Sequence, residues 1–145
     1  MVFIIWCTNH PMIKKIFIIL FLINFLNITS VFAERWTLVG KNERGSVSIY
    51  IDKHTIKRSG NSVVWWQLDS YKNRMPTNVY TIYSNISKTE ADCFRFARKD
   101  LYIDYFDQQM GEGNKVMVEK IHSAQWIYDQ PNTLYYKVLE YVCNE

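Results

Sequence analysis

From Arg35 onward, apolar and polar positions alternate along much of the chain. In Ser46–Asp52 (SVSIYID), Val47, Ile49 and Ile51 fall on one side, while Ser48, Tyr50 and Asp52 fall on the other. A period of two marks a half-buried strand. Ser62–Tyr71 (SVVWWQLDSY) repeats the pattern with two adjacent tryptophans, whose side chains must leave a strand on opposite faces. Val64, Trp66 and Leu68 share a side without a charge, which predicts the core side. Val63, Trp65, Gln67, Asp69 and Tyr71 share a side too polar for a core and too aromatic for a plain surface. The pattern therefore predicts Trp66 inside and Trp65 partly exposed on the far face.

Other segments extend the β reading. Arg35–Val39 and Lys115–Ile121 are predicted strands, as are VYTIYSNIS, TEADCFRF and LYIDYF within Val79–Asp107, rich in β-branched and aromatic residues. Trp126–Tyr128 is a short extended piece. Gly40–Gly45, Asp52–Asn61, Lys72–Asn78 with Pro76, and Gly111–Asn114 are predicted turns and loops. The period changes in DQPNTLYYKVLEYVC. Leu134, Val138 and Tyr141 recur at i, i+4 and i+7, flanked by Tyr135, Leu139 and Val142, with Pro131 suited to a first turn. The predicted class is α+β: an antiparallel sheet of five or six strands with one C-terminal helix packed on one face, the other face being wet.

The first 33 residues are set apart by their pattern. Lys14 and Lys15 precede the apolar run Ile16–Leu26, and Val31-Phe32-Ala33 has the small-x-small form that precedes a cleavage point. Together these predict an N-terminal signal peptide over residues 1–33, with translation starting at Met1 or Met12. The run is about half the roughly 20 residues that a spanning helix needs, so no membrane span is expected to remain after cleavage. The exported domain is then 34–145, a single domain by size. The chain has 17 Lys and Arg against 14 Asp and Glu. Two of the lysines lie in the leader, leaving 15 against 14 and a net charge of +1 in the mature domain. So near-neutral a domain lacks the basic excess of a nucleic-acid binder.

Cysteine usage fits export. Cys7 lies ahead of the apolar run, and Ala33-Glu34 stands where a lipoprotein would carry its lipidated cysteine. Cys93 and Cys143 remain, an even pair that reads as a disulfide in an exported domain, the other reading being two free thiols. Closing a loop of about 50 residues is worth on the order of 4 kcal/mol in the chain-entropy picture. Two cysteines and the scattered His54 and His122 do not give metal-ligand spacing, and no metal or cofactor is expected.

Little points to catalysis. Neither histidine belongs to a nucleophile motif, and Asp104 and Asp107 fall on opposite faces of their strand rather than forming a carboxylate pair. The expected protein is not an enzyme. The positive signal is aromatic: of 23 Phe, Trp and Tyr residues, six lie in the leader and 17 in the mature domain. Trp and Tyr on a solvent face are the residues that carry interface energy. Trp65 is the candidate partner-binding residue, with Tyr50 and Tyr71 as companions on the polar-marked faces of their strands. The alternative is that Trp65 packs beneath the Lys72–Asn78 loop.

At this point the order of short motifs resembles a known family. RWTLVG is followed by YIDKHTIKRSGNSVVWWQLDSY, then SKTEADC, DQQMGEGN, a Trp, a Pro and a final YVC. This order is similar to that of the surface-adhesin protein E family of Gram-negative bacteria and covers nearly all of Glu34–Cys143. The resemblance implies a small antiparallel sheet with a C-terminal helix and pairing of the two cysteines. It further implies a non-enzymatic surface adhesin that binds host matrix proteins and can form homodimers. The missing lipidation cysteine sets this chain apart from members displayed as lipoproteins. The expected function is thus an exported, periplasmic or secreted interaction protein that binds a host matrix or envelope protein through an aromatic sheet face. The alternative is a periplasmic binder of a small apolar ligand held in a cleft between sheet and helix.

Overall fold

The computed structural model describes residues 35–145, so the predicted signal peptide lies outside the described residues. Six strands form one sheet in sequential order: β1 (Thr37–Lys41), β2 (Val47–Ser59), β3 (Ser62–Tyr71), β4 (Ser84–Asp92), β5 (Ala97–Phe106) and β6 (Lys115–Lys120). Every neighbouring pair is antiparallel, so short connections suffice throughout. One helix, α1 (Leu134–Asn144), follows the sheet. The predicted α+β architecture is the observed one.

The helix begins later than its proline suggested. Thr133 is the N-cap and accepts a hydrogen bond from the Tyr136 N–H, leaving Pro131 in the approach to the helix. Val138, Leu139 and Val142 are buried against Ile49, Ile51, Val63 and Ala91. The helix lies close over β1, where a Cβ on Gly40 would come within 2.9 Å of the Leu134 Cδ1 atom. Its C-terminus is fixed twice. Cys143 is bonded to Cys93 with the Cα atoms 5.6 Å apart, and the Arg58 Nη2 donates to the carbonyls of Val142 and Cys143 at 3.2 and 2.7 Å. A guanidinium there meets helix carbonyls that have no partner within the helix and the negative end of its dipole.

Several element boundaries differ from the sequence reading, among them the predicted strand TEADCFRF, which ends at Asp92 with residues 93–96 forming the turn into β5. The predicted Asp52–Asn61 loop is largely strand, because β2 runs on to Ser59 past a bulge between Asp52 and Lys57. The Thr55 hydroxyl closes the bulge by donating to the Asp52 carbonyl and accepting from the Trp66 N–H. The predicted strand from Val79 begins only at Ser84. The preceding residues form an irregular crossing anchored by the buried Ile82.

The two tryptophans are the main correction. Trp65 is completely buried (0 % exposed) and faces the helix, whereas Trp66 is half-buried on the opposite face. Gln67 and Asp69 had marked the Trp65 side as wet, yet both are buried and partnered. The Gln67 side-chain N–H donates to Asp69 at 2.7 Å, the Tyr135 hydroxyl donates to Asp69 at 2.6 Å, and the Trp65 indole N–H reaches the Gln67 oxygen at 3.4 Å. Paired polar groups can be buried at modest cost, so polarity alone did not identify the solvent face.

Candidate interaction surface

The predicted trio Trp65, Tyr50 and Tyr71 does not form a surface. Trp65 and Tyr71 lie on the helix side, Tyr71 paired across from Val47 and accepting a hydrogen bond from the Asn85 amide at 2.6 Å. Burial pushes the Tyr71 phenol well above its ordinary pKa, and neighbouring Asp69 adds to the shift. Tyr50 lies on the other side, opposite Leu68. A second correction follows for Trp65: a tryptophan with no exposed surface cannot anchor a partner while the fold is intact.

Beside Trp65, under the edge of the helix, lies a polar network rather than an apolar cleft. A cavity of about 170 Å³ is lined by Gln67, Asp69, Asn85, Ser87, Arg98, Asp100, Ile103 and Tyr135. Arg98 is buried and bridges Asp129 at 2.8 Å and Asp100 at 3.3 Å, with its guanidinium 4.1 Å from the Tyr135 ring centroid. Burial pushes the Asp69 carboxyl up to about 6, against the lowering effect of the hydrogen bonds from Tyr135 and Gln67. An apolar ligand would find few complementary groups in such a cavity.

The face away from the helix has a different character. One end is closed: the turn through Gly111 packs on Leu68 and Ile86, and a Cβ on Gly111 would lie 2.8 Å from the Ile86 Cδ1 atom. Leu68 is fully buried there. The other end is open, and strand register lays its side chains out in rows. Trp66 pairs with Lys88, Lys88 with Tyr102, and Tyr102 with Lys120, a row crossing β3 to β6. The next row is Lys57, Val64, Glu90 and Lys99. The Trp66 and Tyr102 rings lean together, with centroids 6.0 Å apart and planes at 77°. This edge-to-face arrangement is a favourable one for aromatic pairs. The β2 bulge brings His54 and Thr55 beside Trp66, forming a groove of about 280 Å³ with Lys57, Val64 and Lys88.

Trp126 extends this surface toward the β4–β5 turn. Its ring has the Lys99 ammonium 4.4 Å and the Arg95 guanidinium 4.8 Å from the centroid. Phe94 at 82 % and Tyr128 at 58 % exposure stand in the same two segments as Arg95 and Trp126.

The charges on the open end are unevenly matched. Glu90 is paired with Lys99 at 3.1 Å, Asp52 with Arg35 at 2.7 Å, and Asp104 with Lys115 at 2.6 Å. Lys57, Lys88 and Lys120 are exposed, and none forms an ion pair among the described residues. The sequence reading missed Trp66, Tyr102 and Trp126 as surface residues. Once the Trp65 and Trp66 faces were exchanged, the register of β4 to β6 could not be read from alternation alone.

Among the described residues no group of three or more His, Cys, Asp or Glu side chains is arranged to hold a metal ion, and no helix is long and apolar enough to cross a membrane. His54 and His122 are exposed. The profile of the family described as surface-adhesin protein E matches residues 36–144. The chain belongs to the surface-adhesin protein E family. The fold is also that of solved protein E structures. The crystal structure of protein E from non-typeable Haemophilus influenzae is 17 % identical, with TM-score 0.52 and 76 % of each chain covered. Crystal form II of Haemophilus influenzae protein E is 15 % identical, with TM-score 0.51, covering 66 % of this chain and 80 % of that one. The selenomethionine form of the same protein is 14 % identical, with TM-score 0.52, covering 74 % and 85 %. No curated protein matches the sequence significantly. Membership makes this a surface-adhesin-like protein of the kind that Gram-negative bacteria export or display.

Proposed function

We propose that the protein is an exported, non-enzymatic attachment module that binds a host matrix or envelope protein through the open end of its outer sheet face. The observation that carries this reading is the aromatic and cationic row Trp66, Lys88, Tyr102 and Lys120 on the face that the helix leaves uncovered. Half-buried aromatic rings set in rigid strands supply contact area at little entropic cost. Uncompensated lysines around them add long-range attraction that speeds encounter. Self-association into a homodimer, expected from the family resemblance, would compete with a partner if it used the same rings.

Signal cleavage before Glu34 leaves a secreted or periplasmic domain in this reading. The test combines location and contact. Protease added to intact cells is expected to degrade the protein if it is displayed. Purified residues 34–145 are expected to bind an immobilised extracellular-matrix layer, and Trp66→Ala is expected to weaken that binding by at least tenfold with the fold intact. Unchanged binding by Trp66→Ala would remove the outer face from the proposal. The small apolar ligand reading gains no support from the polar cavity beside Asp69.

A further inference from the structure

We propose that the feature recognised on the partner is an acidic polysaccharide chain, of the sulfated or uronic-acid kind carried by matrix glycoproteins, lying across the strands along the Trp66–Lys88–Tyr102–Lys120 row. This inference rests on the attachment role proposed above and names its chemistry.

Neighbouring strands lie about 4.8 Å apart, so Lys88 on β4 and Lys120 on β6 leave the sheet about 10 Å from each other. Cations and aromatics therefore alternate across the sheet at a two-strand repeat, on the scale of the disaccharide repeat of a linear acidic glycan. A lysine ammonium is a compact, strongly hydrated point charge suited to sulfate or carboxylate at a wet surface. An aromatic ring has an electron-rich face that attracts the polarised C–H groups of a sugar ring. The corner formed by Trp66 and Tyr102, with planes at 77°, offers one ring face and one ring edge between the lysines.

Electrostatics narrows the choice. Asp52, which pairs across from Trp66, and Glu90 and Asp104 beside the row are neutralised by Arg35, Lys99 and Lys115, so none of these three carboxylates faces an anionic chain without a cationic partner. Lys57, beside Val64 in the groove next to Trp66, extends the cationic track by one more strand toward β2. The domain as a whole is close to neutral, so the excess of positive charge is a property of this face and not of the molecule. An added peptide strand would use the free edges of β1 or β6, whereas the row runs perpendicular to the strands, from the middle of β3 to the end of β6. A repeating linear polyanion fits that direction.

The experiment is a tryptophan-fluorescence titration of purified residues 34–145 with a size-defined heparin fragment, repeated over a range of salt, with a neutral dextran oligosaccharide as control. The fragment is expected to bind, to weaken steadily as salt rises, and to be ignored when replaced by dextran. The double variant Lys88→Gln/Lys120→Gln is expected to lose at least tenfold in affinity with a flatter salt dependence. Trp66→Ala is expected to lose affinity with the salt dependence kept, which separates stacking from charge. Arg44→Gln/Lys137→Gln, beside the N-terminal end of the helix, serves as the control that leaves affinity unchanged. A fragment that fails to bind, or that loses equally in both double variants, overturns the glycan assignment. If in that case Trp66→Ala still weakens attachment to a matrix layer treated with glycan-degrading enzymes, the contact is with protein and the attachment role survives. If Trp66→Ala leaves attachment to the untreated layer unchanged, both proposals fall.

Discussion

The adjacent tryptophans give the most quantitative test of the fold. Trp65→Ala removes a fully buried ring from the contact between sheet and helix. A tryptophan buries roughly 150–250 Å², and at about 25 cal/mol per Å² this corresponds to about 4–6 kcal/mol before the part an alanine retains. Truncations of buried large aromatics cost about 3–5 kcal/mol, which agrees. The indole hydrogen bond to Gln67 is long at 3.4 Å and adds little. Trp66→Ala removes a half-buried ring in contact with Tyr102. Half the buried area corresponds to about 2–3 kcal/mol before the part an alanine retains. Urea denaturation of the two variants and the parent measures the difference. Trp65→Ala is expected to lose about 2 kcal/mol more than Trp66→Ala, a large part of the ~5–15 kcal/mol that holds a domain together. If Trp65→Ala does not fold, Trp65→Phe replaces it, with the same order expected. Equal losses, or a larger loss for Trp66, would refute the assignment of the faces.

Three further outcomes follow from the same structure. Asp69 titrates near 6 in the folded protein because it is buried, so the folded state holds this proton more tightly than the unfolded chain, whose carboxyl keeps the ordinary value of 3.8. Its contribution is full below about pH 4 and is lost as pH rises through about 6; Asp69→Asn is expected to flatten that fall, by up to about 3 kcal/mol for a two-unit shift, in melts across pH 4–7. Cys143→Ser is expected to cost about 2–5 kcal/mol, seen as a lower urea midpoint that reducing agent reproduces in the parent. Arg58→Ala leaves the Val142 and Cys143 carbonyls without their charged donor and is expected to cost about 1–2 kcal/mol, read as faster amide exchange confined to the last turn of the helix.

The fold was largely legible from the sequence because alternation in β2, β3 and β6 and the i, i+4, i+7 stripe of the helix report burial directly. The strand count, the antiparallel sheet, the C-terminal helix and the Cys93–Cys143 bond all emerged from those patterns or from the family resemblance. The face of β3 did not, for an identifiable reason. Gln67 and Asp69 lie on the core side because Tyr135 arrives from the helix, 66 residues beyond Asp69, to pair with the carboxylate. Nothing local to β3 announces that partner, so the polarity of the pair was read as solvent and Trp65 was placed outside. The same error hid the candidate surface. Trp66 gains its meaning only beside Lys88, Tyr102 and Lys120, three strands that the sequence separates and the register joins. The bulge in β2 was also opaque, since a polar stretch containing His54 and Thr55 is the composition of a loop, and only the Thr55 hydroxyl bonds show it to be strand.

The central claim is that attachment uses the open outer face and not the helix side. Hydrogen–deuterium exchange of residues 34–145, free and bound to an immobilised extracellular-matrix layer, tests it most directly. The account predicts slowed exchange on binding in the segments around Lys57–Trp66, Ile86–Glu90 and Lys99–Tyr102, with helix α1 unchanged. Protection confined to the helix and β1, with those three segments unaffected, would contradict it.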